Sequence, residues 1–167
     1  AFSDRMLPNG QHVDGLRCLV LLASAGDEAA WNDRHASRDH RAIPLASERM
    51  VEEAPMISQL IRQLGVELST VLRPDPGLLL DANEKAYNVF HVQHAKGSPF
   101  IVAQEEFVER YGIESVVGFG GMMATGDLFA AVLFSKVPIS PHVADLFKVI
   151  GLNLRVALLP LARKPLF

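Results

Sequence analysis

The stretch FVERYGIESVVGFGGMMATGDLFAAVLFSKVPI, which runs from Phe107 to Ile139, decides the fold of this chain. It predicts a short helix, a glycine-containing strand, a tight turn and a second, long apolar strand. Both strands are apolar at successive positions rather than at alternate ones, so we expect both of their faces to be covered. The stretch therefore predicts two neighbouring strands at the centre of a sheet.

The composition predicts one soluble, compact domain with a hydrophobic core. The chain has 167 residues, 49% of them hydrophobic, and a formal net charge of -3. This charge gives no electrostatic reason to expect binding to nucleic acid or to an anionic membrane. No apolar run is long enough to cross a bilayer, and the N-terminus lacks a signal-peptide pattern.

The single cysteine, Cys18, excludes an internal disulfide and a four-cysteine zinc site. It lies in the apolar run 16–23, where a buried and unreactive thiol is expected. A chain with one cysteine is consistent with the reducing cytoplasm, which is the predicted location.

The rest of the chain is predicted from its apolar spacing and its turn residues. Residues 1–15 are expected to form a tail or linker, 16–23 and 41–45 two strands, and 86–92 a further strand. A helix is expected from Ser47, and Pro55 should start a second helix that runs to residue 72 through Gly65. The domain is expected to cover 16–159, and 160–167 to connect it to a missing output region.

The last helix is expected to begin at Ser140, a good N-cap, with Pro141 at its first position. Beyond its core stripe, it carries a second apolar set with the spacing of a helix-pair seam. That set consists of Val149, Leu152, Val156 and Leu159. Two interpretations stay open: a helix buried on most sides of its own domain, or a helix that forms a homodimer and passes a signal onward.

The polar cluster at 32–41 contains histidines, aspartates and arginines. His35 and His40 are not spaced to chelate a metal from one helical face, and no metal site is predicted. Guanidinium groups suit forked anions, so Arg34, Arg38 and Arg41 form a candidate anion site. The alternative is a solvated loop with local ion pairs.

No recognisable catalytic motif is present, and the chain is predicted not to be an enzyme. A lone histidine in a strand is usually hydrogen-bonded, which argues against His91 as a haem ligand. Gly118, Gly120 and Gly121 either leave space for a ligand beside the sheet or mark a bulge.

Several short phrases resemble the GAF-domain family, and the resemblance covers about 16–159. RAIPL at 41–45 resembles a phrase that leads into the middle helices of these domains. EEFVERYGIES at 105–115 and GDLFAAVLFS at 126–135 resemble their segment before the central hairpin and a strand of that hairpin. The related PAS and profilin-like sensor folds are neighbours of this family.

The resemblance implies an α+β sandwich with a central, mainly antiparallel sheet of five or six strands and helices on both faces. It also implies a small-molecule pocket, and the cofactor or ligand is not identified. A covalent bilin would need a better-placed cysteine than Cys18, and the cyclic-nucleotide NKFDE pattern is missing. Carried onto this chain, the pocket residues are Tyr87, Val89, His91, Phe107, Tyr111, Val117 and Phe119.

The resulting prediction is a cytoplasmic, non-catalytic sensing domain of a bacterial signal-transduction protein. A small molecule or a change of state would act through the dimerising last helix on a kinase or cyclase region of the same full-length chain. The alternatives are a ligand-free dimerisation module, whose pocket is filled by its own side chains, and a small redox enzyme of GAF fold. The enzyme would need a reactive cysteine near the pocket, and the position of Cys18 argues against it.

Overall fold

The structure, a computed structural model, describes residues 16–37, 41–74 and 88–161. Its contacts divide the chain into two compact units, one up to Met50 and one from Val51. In the first unit, β1 (Arg17–Val20) pairs antiparallel with β2 (Ala42–Leu45), and a 3-10 helix covers Ala29–Asn32. Helix α1 (Glu48–Glu52) spans the boundary. The single domain expected over 16–159 stays a prediction.

The second unit contains a three-stranded antiparallel sheet and the longest helix of the described ranges. Its elements are α2 (Pro55–Gln63), α3 (Leu68–Leu72), β3 (Val89–Val92), a π-helix (Gln104–Glu109), β4 (Ser115–Met122), β5 (Leu128–Ser135) and α4 (Pro141–Leu158). The strand order is β3-β4-β5. No helix in the described ranges is long and apolar enough to cross a membrane.

The expected central sheet of five or six strands is wrong. The five strands in the described ranges form two small sheets, of two and three strands, although the α+β class agrees with the prediction. Apolar runs identify strands because a strand must bury side chains, but they do not specify which strand pairs with which. Here β1 and β2 pair with each other and belong to a separate sheet.

The hairpin of β4 and β5 is present, but only β4 is central. All eight residues of β4 are buried, while β5 is the edge strand among the strands that the structure describes and has exposed positions. Helix α4 packs on one face of β4 through Ala144 and Phe147, and α2 reaches the other face through Leu60. The prediction that both strands are central is therefore wrong for β5.

The helix expected from Pro55 to residue 72 is broken at Gly65. Pro55 does start α2, but α2 ends at Gln63 and Gly65 adopts a φ of 79°. That φ lies in the left-handed region, which glycine enters without a steric penalty and which ends a helix. The predicted start of α4 is confirmed, because the Ser140 hydroxyl accepts a hydrogen bond from the Val143 N–H at 3.3 Å.

Candidate functional site

The predicted pocket residues on β3 and β4 lie on the face that α4 covers. Val89 is paired with Phe119, and His91 with Val117, so the four side chains share one face of the sheet. Val117, Phe119 and Ala144 are buried together, and the Phe119 and Phe147 rings lie 5.5 Å apart between centroids. This part of the predicted pocket is occupied by the protein's own helix.

Phe107 and Tyr111 lie elsewhere. The Phe107 ring contacts Tyr111 at 5.7 Å and meets Phe134 edge to face at 4.9 Å. Phe134 is paired with Val116, the neighbour of Val117, so its side chain lies on the sheet face opposite to α4. The structure therefore separates the predicted set into two groups on two faces, and Tyr87 lies outside the described residues.

The glycines of β4 make room for neighbouring protein atoms. A Cβ at Gly118 would lie 2.7 Å from Leu60 Cδ1 and 3.1 Å from Phe90 Cδ1. A Cβ at Gly120 would overlap the carbonyl oxygen of Phe129. Neither role left open by the sequence is needed at these two positions: the pairing of β4 with β5 is continuous, without a bulge, and the space beside each glycine is taken by the protein's own atoms.

A polar cluster, here called the latch, fixes the segment that leads into α4. The fully buried Ser115 hydroxyl donates to the Val137 carbonyl at 2.8 Å and accepts from the Ile139 N–H at 3.1 Å. His91 Nε2 lies 2.8 Å from the Ile139 carbonyl, and the His91 N–H donates to Gln63 Oε1 at 2.9 Å. The buried Ser115 hydroxyl thus both donates and accepts a hydrogen bond, as its burial requires.

The latch connects β3, β4 and α2 to the start of the last helix. The latch was not predicted from the sequence, although one signal is present there: Ser115 is the only polar side chain of β4. A lone hydroxyl in a fully buried strand needs hydrogen-bond partners from a neighbouring segment.

The outer face of α4 with its C-cap residue carries more of the exposed large apolar side chains than any other element in the described part of the chain. Val149 and Val156 are 60% and 66% exposed, and Leu152 and Leu159 are also exposed. These are the four residues with seam spacing. Val143, Leu146 and Ile150 extend the same surface on the helix flank. The interpretation of a helix buried on most sides of its own unit is therefore wrong.

A shallow cleft of about 500 Å³ lies beside the C-terminal end of the π-helix. Its walls are formed by His94, Ala95, Lys96, Val108, Glu109, Gly112, Ile113 and Glu114. Buried apolar side chains form its floor, and the Lys96 Nζ to Glu109 Oε1 ion pair at 2.9 Å lies at its rim. The hydrogen bond and the charge of Glu109 raise the pKa of Lys96. None of the six predicted pocket residues that the structure describes lines this cleft.

The loop at the cleft is organised by one side chain, Gln104. Its amide nitrogen donates to the carbonyls of Ala95, Ser98 and Ile101, and its oxygen accepts from the Gly97 N–H at 2.8 Å. Gln104 is also the first residue of the π-helix, a conformation that is frequent at functional sites.

The candidate anion site and the thiol lie in the first unit. Arg34 is half buried, Arg41 is exposed, and Arg38 lies outside the described residues. No group of three His, Cys, Asp or Glu residues that could hold a metal occurs in the ranges that the structure describes. Cys18 is exposed rather than buried, because it lies on an outward face of the short strand β1. Its partial burial raises the pKa of the thiol.

Comparison of the chain with models of known protein families, with curated proteins and with solved structures found no match. The similarity to GAF domains therefore rests on the short phrases quoted above.

Proposed function

We propose that this chain is a non-catalytic regulatory module that self-associates through the outer face of α4. The exposure of Val149, Leu152, Val156 and Leu159 carries this proposal. A row of exposed apolar side chains on one helix face is typical of an interaction site, and the seam spacing fits a second helix of the same kind. Burial of each side chain in a helix pair would contribute roughly 1 kcal/mol.

The occupied face of the sheet favours the ligand-free form of such a module. Val89, Val117 and Phe119 are packed against α4, so a ligand in that place would have to displace the helix. A ligand-free module transmits a signal through a change in the relative positions of its helices, and it needs no bound small molecule.

The latch offers a physical route by which a change in the sheet reaches α4. His91 and Ser115 hold Ile139, which directly precedes the helix N-cap. A partner or ligand that favours one arrangement of this segment would shift the population of α4 positions. With the GAF resemblance, this supports a place upstream of a kinase or cyclase region in a cytoplasmic bacterial protein.

Light scattering coupled to size-exclusion chromatography tests the self-association. We expect a dimer at high concentration, and we expect Val156→Asp to dissociate it because a carboxylate would be buried in the seam. Val102→Asp is the matched control, since it makes the same substitution at a 79% exposed position outside α4. A monomer at all concentrations, or equal effects of the two variants, would contradict the proposal.

A second candidate is a small-molecule sensor, and the cleft beside the π-helix favours it. The cleft is large enough for a small ligand and combines an apolar floor with charged walls. Native mass spectrometry of the freshly purified protein would detect a bound molecule. Release of that molecule by Ile113→Lys, but not by the exposed Glu105→Lys outside the cleft, would support this candidate. Retention in both variants would exclude the cleft as its site.

A further inference from the structure

The outer edge of β5 has backbone groups that point away from the sheet. The Met123 N–H donates to the Asp127 carbonyl, which marks this as a hydrogen-bonded pair. In an antiparallel ladder every second pair is hydrogen-bonded, so the odd-numbered residues of β5 form the backbone hydrogen bonds to β4. The N–H and C=O groups of the even-numbered residues therefore point outward. Within the described ranges, the three-stranded sheet ends at this edge.

This edge lacks the features by which proteins protect an edge strand. β5 is eight residues long, and from Leu128 to Ser135 it has no charge and no proline. Leu133 and Phe134, whose side chains lie on opposite faces, are 42% and 36% exposed. The opposite edge of the sheet differs: β3 has four residues, and Gln63 accepts the outward N–H of His91.

We propose that the outer edge of β5 pairs antiparallel with β5 of a second copy of this chain. A second copy fits because a two-fold axis presents a strand of equal length and equal apolar character, with no like charges facing each other. The pairing joins two three-stranded sheets into one of six strands. It goes beyond the proposed function and does not depend on it.

The hydrogen-bond pattern restricts the register of this pairing. Each bonded pair must join two even-numbered residues, because only their backbone groups point outward. Two registers then pair nearly the whole strand, one with the two-fold axis at Ala131 and one with the axis at Val132. In the first register Ala131 lies directly opposite Ala131 of the second copy. In the second register Val132 lies directly opposite Val132 of the second copy.

Strand pairing and α4 pairing are different contacts. A two-fold axis perpendicular to the joined sheet places both α4 helices on the same face, and α4 packs over β4 and β3 rather than over β5. The helices would be separated by at least three strand spacings, about 14 Å. Direct helix packing needs about 8–10 Å. The strand contact is thus small, and we expect weak, concentration-dependent association.

Disulfide trapping tests the proposal. In a Cys18→Ser background, single cysteines are introduced as Ala131→Cys and Val132→Cys, with Glu105→Cys on the exposed side of the π-helix as the control. At high protein concentration under mild oxidation, one of the two β5 variants should form covalent dimers several-fold faster than the other and than the control. In either register, only the cysteine at the two-fold axis has its Cα atom within disulfide range of the same residue in the second copy.

Adding Ala130→Pro to the variant that forms the disulfide should abolish trapping. The Ala130 N–H points outward, so proline removes a donor of the pairing without removing a bond to β4. Circular dichroism checks that each variant is folded. Equal rates in both β5 variants and the control, or trapping that survives Ala130→Pro in a folded protein, would overturn the proposal.

The outcomes also separate this proposal from the proposed function. Trapping at β5 should persist in Val156→Asp, because α4 is not part of the strand contact. A dimer that Val156→Asp dissociates, without trapping at β5, overturns strand pairing alone. Trapping at β5 without any dimer that depends on α4 supports strand pairing and contradicts the proposed function.

Discussion

At the scale of single residues, Ser115 combines full burial with two hydrogen bonds to another segment. Its hydroxyl is the acceptor for the Ile139 N–H, and Ser115→Ala would remove that acceptor without leaving room for water. We expect a loss of about 1–3 kcal/mol in the free energy of unfolding, measured by urea denaturation.

Ser135→Ala is the control for that measurement. Ser135 also donates to the Val137 carbonyl, at 2.9 Å, but it is less buried. Its removal should cost less, about 0.5–1 kcal/mol. A loss at Ser115 no greater than that at Ser135 would show that the latch does not stabilise the fold.

Gly118 gives a second prediction at this scale. Gly118→Ala should destabilise the protein by about 1–3 kcal/mol, because the new methyl group would overlap Leu60 and Phe90 in a filled core. In a Leu60→Ala background the same change should cost much less, since the overlapping side chain is gone. Additive effects in this double-mutant cycle would contradict the packing argument.

At the scale of elements, Gln104 determines the shape of the loop at 95–101. Gln104→Ala removes hydrogen bonds to four loop residues at once, so we expect faster amide exchange in this loop and a loss of about 1–3 kcal/mol. Glu105→Ala, an exposed neighbour, should leave both unchanged. Unaltered exchange in Gln104→Ala would mean that the backbone holds the loop without this side chain.

The elements also show how far the sequence could predict this fold. The N-cap at Ser140 and the start of α2 at Pro55 were predictable, because each depends on the chemistry of one residue in its own turn. The edge position of β5 was not, because an apolar strand has the same composition whether or not it has a second neighbour. The contact of Phe107 with one face of the sheet, while Phe119 lies on the other, was not predictable either. It depends on strand register, and a shift of one residue moves every side chain of a strand to the opposite face.

At the scale of the whole molecule, the two compact units differ in how much core they contain. β4 contributes eight buried residues to the second unit, whereas the two-stranded sheet of β1 and β2 has one, Leu45. A two-stranded sheet is marginal by itself in water. We expect the amides of 17–20 and 42–45 to exchange through local opening. The free energy of this opening should be lower than that of the opening that exposes the amides of 115–122.

Hydrogen exchange followed by mass spectrometry measures this difference, and the cysteine provides an independent check. Cys18 is exposed on β1, so alkylation should modify it in the native protein without denaturant. The raised pKa of its thiol should make the reaction slower at neutral pH than that of a free thiol, and faster as the pH rises through that pKa. Equal protection of β1 and β4, together with a Cys18 that reacts only after unfolding, would mean that the first unit opens only with the whole molecule.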